Sequence, residues 1–172
     1  MSVSLALRRQ LESLTSSRSD AKVRRRCTRH VMEYSLVKDA LKGCPLFQGL
    51  DESALAFLLW RAEELTSVRG TMIYKEGAPS DNSFGLLLQG KLDFSQGGAT
   101  IRSADGIYVF GEVGFFEKDA RRTASVKVAS ASAIYLRFRI DREELKRDPL
   151  TELDRRLGAE AVRKFVEDRP GS

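Results

Sequence analysis

Phe110-Gly111-Glu112-Val113-Gly114-Phe115-Phe116, running on through Glu117 to Arg121-Arg122-Thr123-Ala124, is the stretch on which the reading of this chain depends. It follows a β candidate at 106–110 and precedes another at 124–129, and the pattern between them predicts a short helical turn beginning at Gly111. A helix start leaves N–H groups unpaired and favours an anion. Glycine lets the backbone come close to that anion. An arginine returning ten residues after Glu112 completes a phosphate site, with charge-assisted bonds of roughly 1.5–3 kcal/mol each. A carboxylate beside a phosphate needs a different partner, and a sugar hydroxyl is the natural donor. Phosphate plus sugar hydroxyl describes a nucleotide.

Outward from this stretch the chain reads as helices, a compact β unit, then helices. Short strands are predicted at 71–74, 84–88, 91–94, 100–103 and 106–110, punctuated by Gly70, Gly77, Gly90 and Gly97-Gly98. The clearest strand is later: Ile134, Leu136, Phe138 and Ile140 alternate with Tyr135, Arg137 and Arg139, as for a strand with one wet face. On the N-terminal side, Asp20 is placed to cap a helix that is basic from Lys22 to Arg29, turns amphipathic and stops at Pro45. The basic run reads as a solvated face, with contact to nucleic acid or acidic lipid as the alternative. Asp51 caps the next helix, with Leu50 and Leu55 as a hydrophobic staple and Leu55, Leu58, Leu59 and Ala62 as its buried stripe. Trp60 is assigned to packing, and Cys44 to a small buried hydrophobe. After Asp141–Arg147, Thr151 and Asp154 resemble a capping box, and Leu150, Leu153, Leu157, Ala161 and Phe165 line one helix face. The expected class is α+β: a small antiparallel β-roll, a jelly-roll-like sandwich or barrel, flanked by N-terminal helices and a C-terminal lid helix. Its units are a basic helical extension (1–36), the main domain (37–168) and a tail (169–172).

Composition narrows the chemistry. The chain has 172 residues, one histidine (His30) and two cysteines (Cys27, Cys44), too few for a four-ligand zinc site and a poor basis for nucleophilic catalysis. No phosphate-loop or nucleophile-elbow motif is present. The longest uncharged stretches are about ten residues, against the ~20 of a membrane-spanning helix. Two cysteines without a framework indicate a reducing, cytoplasmic setting. Residues 1–42 carry ten Lys/Arg against four Asp/Glu, and residues 43–172 nineteen against twenty, so the +5 net charge belongs to the N-terminal segment. The near-neutral main domain is not expected to bind nucleic acid itself.

The Phe110–Ala124 stretch resembles the phosphate-binding cassette of cyclic nucleotide-binding domains: Phe-Gly-Glu, a short helix, then Arg, a small residue and Ala. Pro45-Leu46-Phe47 with Leu50, and the series Gly70, Glu76-Gly77, Asp81 and Leu88-Gln89-Gly90, resemble the family's entry and early-strand motifs, so the likeness spans roughly residues 37–168. It implies that Arg122 pairs with the exocyclic phosphate oxygens and Glu112 takes the ribose 2′-hydroxyl. Gly111 and the backbone of Val113 and Gly114 line phosphate and ribose. Thr123 gives a hydroxyl to the phosphate or to a syn guanine, and Ala124 offers its N–H. Arg121 is expected to be exposed. Leu153, Leu157 and Phe165 are candidate lid residues over the base. The resemblance implies a non-catalytic intracellular sensor with no cofactor or metal, whose ligand is cAMP in preference to cGMP. A pyrimidine cyclic nucleotide stays open. Its output requires a regulated protein partner or an effector domain outside this sequence, with a homodimer through the helices as an option. The alternative from the same residues is an interaction module that kept the fold without the ligand.

Overall fold

The computed structural model describes residues 34–116 and 121–168. Asp20, the basic run, Cys27, His30 and the tail at 169–172 lie outside the described residues. The elements are α1 (Tyr34–Gly43), α2 (Glu52–Arg61), β1 (Ala62–Val68), β2 (Met72–Tyr74), β3 (Ser83–Gln89), β4 (Lys91–Gln96), β5 (Ala99–Asp105) and β6 (Tyr108–Phe110). They continue as α3 (Glu112–Phe116), β7 (Ser125–Val128), β8 (Ser132–Arg139), α4 (Arg142–Leu145) and α5 (Thr151–Glu167). The strands form two four-stranded antiparallel sheets, ordered β1-β8-β3-β6 and β2-β7-β4-β5. This is the expected α+β arrangement of a β-roll with flanking helices.

The first sheet is covered on both faces. One face meets the helices through Phe84, Leu86, Leu136 and Phe138, which pack with Phe47, Leu58, Leu153 and Leu157. The other meets the second sheet through Leu65, Leu87, Phe110 and Tyr135, packed with Tyr74, Leu92, Phe94, Val126 and Val128. This corrects the expectation of a wet face on the last strand. Ala133 and Tyr135 of β8 are buried between the sheets, and Arg137 is half-buried against Glu63, Nη2 to Oε2 2.7 Å. That ion pair also supports β1, which begins where the period turns alternating at Glu63 but precedes the first predicted strand, at 71–74. Its register sets Glu63 opposite Arg137, so charge pairing across the ladder replaces apolar alternation.

Local signals hold in α2, where Asp51 accepts a hydrogen bond from the Ala54 N–H at 2.7 Å and Leu50 and Leu55 are both buried. Ala62 departs from the helix stripe and opens β1. Trp60 is 77% exposed beside Arg61, not packed into the core, because the buried side of α2 is taken by Ala54, Leu55 and Leu58. The capping box of α5 does not form. Leu150 occupies the cap position without a side-chain bond, and the Thr151 hydroxyl donates to Asp148 instead. Leu153, Leu157 and Ala161 of α5 are buried as expected, but the face continues to Lys164, while Phe165 is 41% exposed. Ala161 to Lys164 is a step of three, and it keeps the same face as Leu157.

Candidate ligand-binding site

The site is built where β6 runs into α3. Phe110, 1% exposed, anchors the end of β6 between the rings of Tyr74 and Tyr135, with centroids 5.8 and 5.7 Å away. Gly111 then turns the chain at φ +83°. A Cβ here would lie 2.6 Å from the Tyr74 ring and 3.1 Å from the Arg122 guanidinium, so both the dihedral and the space require glycine. The Phe115 N–H closes the turn on the Gly111 carbonyl at 3.2 Å, and its ring meets Phe84 edge-on, centroids 5.8 Å apart. Gly114 admits the returning strand: a Cβ would meet the Arg121 carbonyl at 2.9 Å and the Arg122 Cα at 3.0 Å.

Arg122 is held at every level. Its N–H donates to the Ala78 carbonyl at 2.9 Å and its carbonyl accepts from the Gly77 N–H at 2.8 Å, which fixes the backbone on the β2–β3 loop. The side chain is 3% exposed. Its guanidinium donates to the Gly111 carbonyl at 3.0 Å, to Asp81 Oδ1 at 2.5 Å and to Ser83 Oγ at 3.0 Å, and lies 3.6 Å over the Tyr74 ring. Ser83 in turn bonds Asp81 at 2.5 Å and the Tyr74 hydroxyl at 2.9 Å. Burial would raise the Asp81 pKa, but the Ser83 hydroxyl and the Arg122 charge outweigh it and hold the carboxyl below its ordinary range. Burial raises the Tyr74 phenol, with Arg122 opposing. Three of the five guanidinium N–H donors are engaged in these bonds, which leaves two for a ligand.

Glu112 lies deeper, 1% exposed. Lys164 of α5 brings its Nζ to 2.6 Å from Oε1, and the same ammonium donates to the Val109 carbonyl at 2.6 Å. The Glu112–Lys164 contact is a buried, charge-assisted ion pair. Oε2 of Glu112 has no side-chain partner among the described residues. Burial pushes the Glu112 carboxyl up, and Lys164 offsets this only in part.

Glu112 and Arg122 border one cavity of about 40 Å³, with Gly111, Val113, Gly114, Thr123 and Ala124 also on its wall. Val113, Thr123 and Ala124 also border an outer recess of about 200 Å³, which Gln96, Ile101, Phe165 and Asp168 complete. Of the three lid candidates only Phe165 borders either space. Leu153 and Leu157 are fully buried among the helices, because the inward stripe of α5 packs on the first sheet and α3. Arg121 is exposed and donates to the Gly77 carbonyl at 2.7 Å. Sequence reasoning passed over Tyr74, Ser83, Lys164 and Arg102. Arg102 donates to the Tyr108 hydroxyl at 2.8 Å and to Asp168 Oδ1 at 2.7 Å, tying the end of α5 to β5. Helical arithmetic places Lys164 on the buried stripe, and its charge is what hid it. No single-sequence signal marks the other three.

No family model and no curated protein matches the sequence. Solved structures do match the fold. PKAR CBD2 bound to Sp-2Cl-cAMPS superposes with a TM-score of 0.65 at 21% identity, over 78% of this chain and 88% of that one. A Geobacter metallireducens protein named for cyclic nucleotide binding gives 0.64 at 20% identity, over 75% and 97%. The catabolite activator protein of Thermus thermophilus gives 0.59 at 25% identity, over 72% and 59%. With two sheets in this order and a glycine-flanked turn between β6 and β7, the chain has the fold of the cyclic nucleotide-binding domain.

Proposed function

We propose that this chain is a non-catalytic, intracellular sensor domain that binds a cyclic mononucleotide, cAMP in preference to cGMP. The observation that carries the reading is Glu112: a fully buried carboxylate, met by the Lys164 ammonium on Oε1 and without a side-chain partner on Oε2 among the described residues, on the wall of a cavity that Arg122 also borders. A buried acceptor of this kind is costly unless a donor reaches it, and a ribose 2′-hydroxyl is such a donor. The two uncommitted N–H groups of Arg122 suit the exocyclic phosphate oxygens. In this reading Gly111, Val113 and Gly114 line the sugar and phosphate, Thr123 and Ala124 supply a hydroxyl and an N–H, and Phe165 faces the base from the outer recess. PKAR CBD2 carries a cAMP analogue on the same fold, which supports that class of ligand. The output is a shift of α5 between open and closed positions, read by a protein partner or by an effector domain outside this sequence.

Isothermal titration with cAMP, cGMP and a pyrimidine cyclic nucleotide tests the proposal. Heat of binding is expected with wild type and with Arg121→Ala, and its loss with Arg122→Ala. A second reading, an interaction module without ligand, is favoured by the pairing of Glu112 with Lys164 and of Arg122 with Asp81 inside the chain. Absence of heat with every cyclic nucleotide decides for it.

A further inference from the structure

The C-terminal helix does more than lie near the site: one of its side chains sits in it. Lys164 is 5% exposed on its side chain, on a helix whose neighbouring residues Val162, Arg163, Phe165 and Val166 are exposed. Its ammonium reaches inward to the Glu112 carboxylate at 2.6 Å, bonds the Val109 carbonyl at 2.6 Å and lies 4.1 Å over the Tyr108 ring. Glu160, one turn earlier, is its other carboxylate neighbour at 3.6 Å. Beyond it Arg102 grips Asp168 at 2.7 Å and Glu167 at 3.1 Å, so two cation contacts from opposite directions pull the last turn of α5 against the site. Lys164 itself lines the inner cavity of about 40 Å³ beside Glu112, so its ammonium takes up space next to the carboxylate that a sugar hydroxyl would need.

We propose that Lys164 is an internal occupant of the sugar subsite: its ammonium stands against Glu112 in place of the ligand's hydroxyl and latches α5 over the site, so that ligand and latch compete for one carboxylate. The competition rests on the cyclic-nucleotide reading; the latch does not. Breaking it from either side loosens the end of α5, and removing the ammonium also spares a ligand its displacement.

The test uses the full chain and two readouts. The first is hydrogen–deuterium exchange of the amides at 160–167 without nucleotide, in wild type, Lys164→Met, Glu112→Gln and, as a control on the same helix, Val162→Ala, at a position 65% exposed. The latch expects at least tenfold faster exchange in the first two variants and little change in the control. Unchanged exchange in Lys164→Met, or an equal rise in Val162→Ala, overturns it. Should Lys164→Met fail to fold, Glu112→Gln breaks the same contact from the other side and is read alone. The second readout is cAMP titration, in which Lys164→Met is expected to bind at least tenfold more tightly than wild type. Equal or weaker binding overturns the competition and makes Lys164 a ligand contact. If no protein binds any cyclic nucleotide, the sensor reading falls while the latch stands or falls on the exchange data.

Discussion

Replacing Arg122 by lysine separates charge from shape at the centre of the site. The positive charge stays, but the planar fork goes. In wild type the fork serves the Gly111 carbonyl, Asp81 and Ser83 at once while its plane lies 3.6 Å over Tyr74. One ammonium can still reach Asp81 and Ser83, which share a bond 2.5 Å long, but it cannot also reach Gly111 and keep a plane over the ring. The Gly111 bond, made by a charged donor, is worth roughly 1.5–3 kcal/mol, and stacking of a desolvated cation roughly 1–2 kcal/mol. Asp81 is 43% exposed, so its retained pair recovers little against solvent. The expected loss is about 2.5–5 kcal/mol, which for a domain of this size lowers Tm by roughly 7–20 °C. Thermal melting by circular dichroism measures it, first without ligand and then with cAMP at 100 times the wild-type Kd. Wild type should gain about 2.7 kcal/mol from ligand, and the variant almost none, because a lysine has no second N–H pair to aim at the phosphate. A ligand-free Tm within about 2 °C of wild type would refute the view that the fork organises this corner. A full ligand-induced shift in the variant would show that a point charge suffices.

Three further outcomes are expected. Gly111→Ala imposes a positive φ and places a Cβ 2.6 Å from Tyr74, so urea denaturation should show a loss of at least ~2 kcal/mol and titration no binding. Asp51→Ala removes the cap on α2 and should cost about 1 kcal/mol in the same denaturation assay, with affinity unchanged, since α2 does not border the site. The raised Glu112 pKa means that the native state holds this proton more firmly than the unfolded chain. Its contribution therefore makes wild-type stability fall as pH rises from the ordinary glutamate value, about 4.3, up to the elevated native one. Glu112→Gln should remove that decline, so chemical denaturation across the range should show the variant gaining on wild type as pH rises, and parallel curves would contradict the assignment.

Much of this fold was legible because its signals are local. Gly70, Gly77, Gly90, Gly97 and Gly98 all take positive φ at turns, and Asp51 caps a helix that its own sequence announces. The cassette was legible for the same reason: Gly111, Glu112 and Gly114 are within four residues and need no knowledge of the rest of the chain. What failed was non-local. β1 was missed because its polar residues are satisfied across the ladder, Glu63 by Arg137, and a period count sees only one strand. Tyr135 was placed in water because alternation cannot tell a solvent from a second sheet. Asp81 was noted as part of a spacing, but its pairing with Arg122 depends on a loop closed by the backbone bonds of Gly77 and Ala78.

Lys164 belongs with those failures, and it shows what the site's charges have in common. Asp81 reaches Arg122 from the loop before β3, and Lys164 reaches Glu112 from a helix that begins only after β8. The two cassette charges that border the cavity, Glu112 and Arg122, are thus each balanced by a different part of the chain. The Arg122 pair lies within the β-roll, where its partners are fixed by backbone hydrogen bonds. The Glu112 pair crosses to a helix end held by side chains alone, Lys164 and the Arg102 contacts with Glu167 and Asp168. On the proposed reading, a donor that displaces Lys164 would disturb a helix end with no backbone–backbone bond to the sheets among the described residues, while Arg122 keeps its backbone bonds to Gly77 and Ala78. On that reading, the asymmetry would let a small ligand shift α5 without unfolding the pocket that binds it.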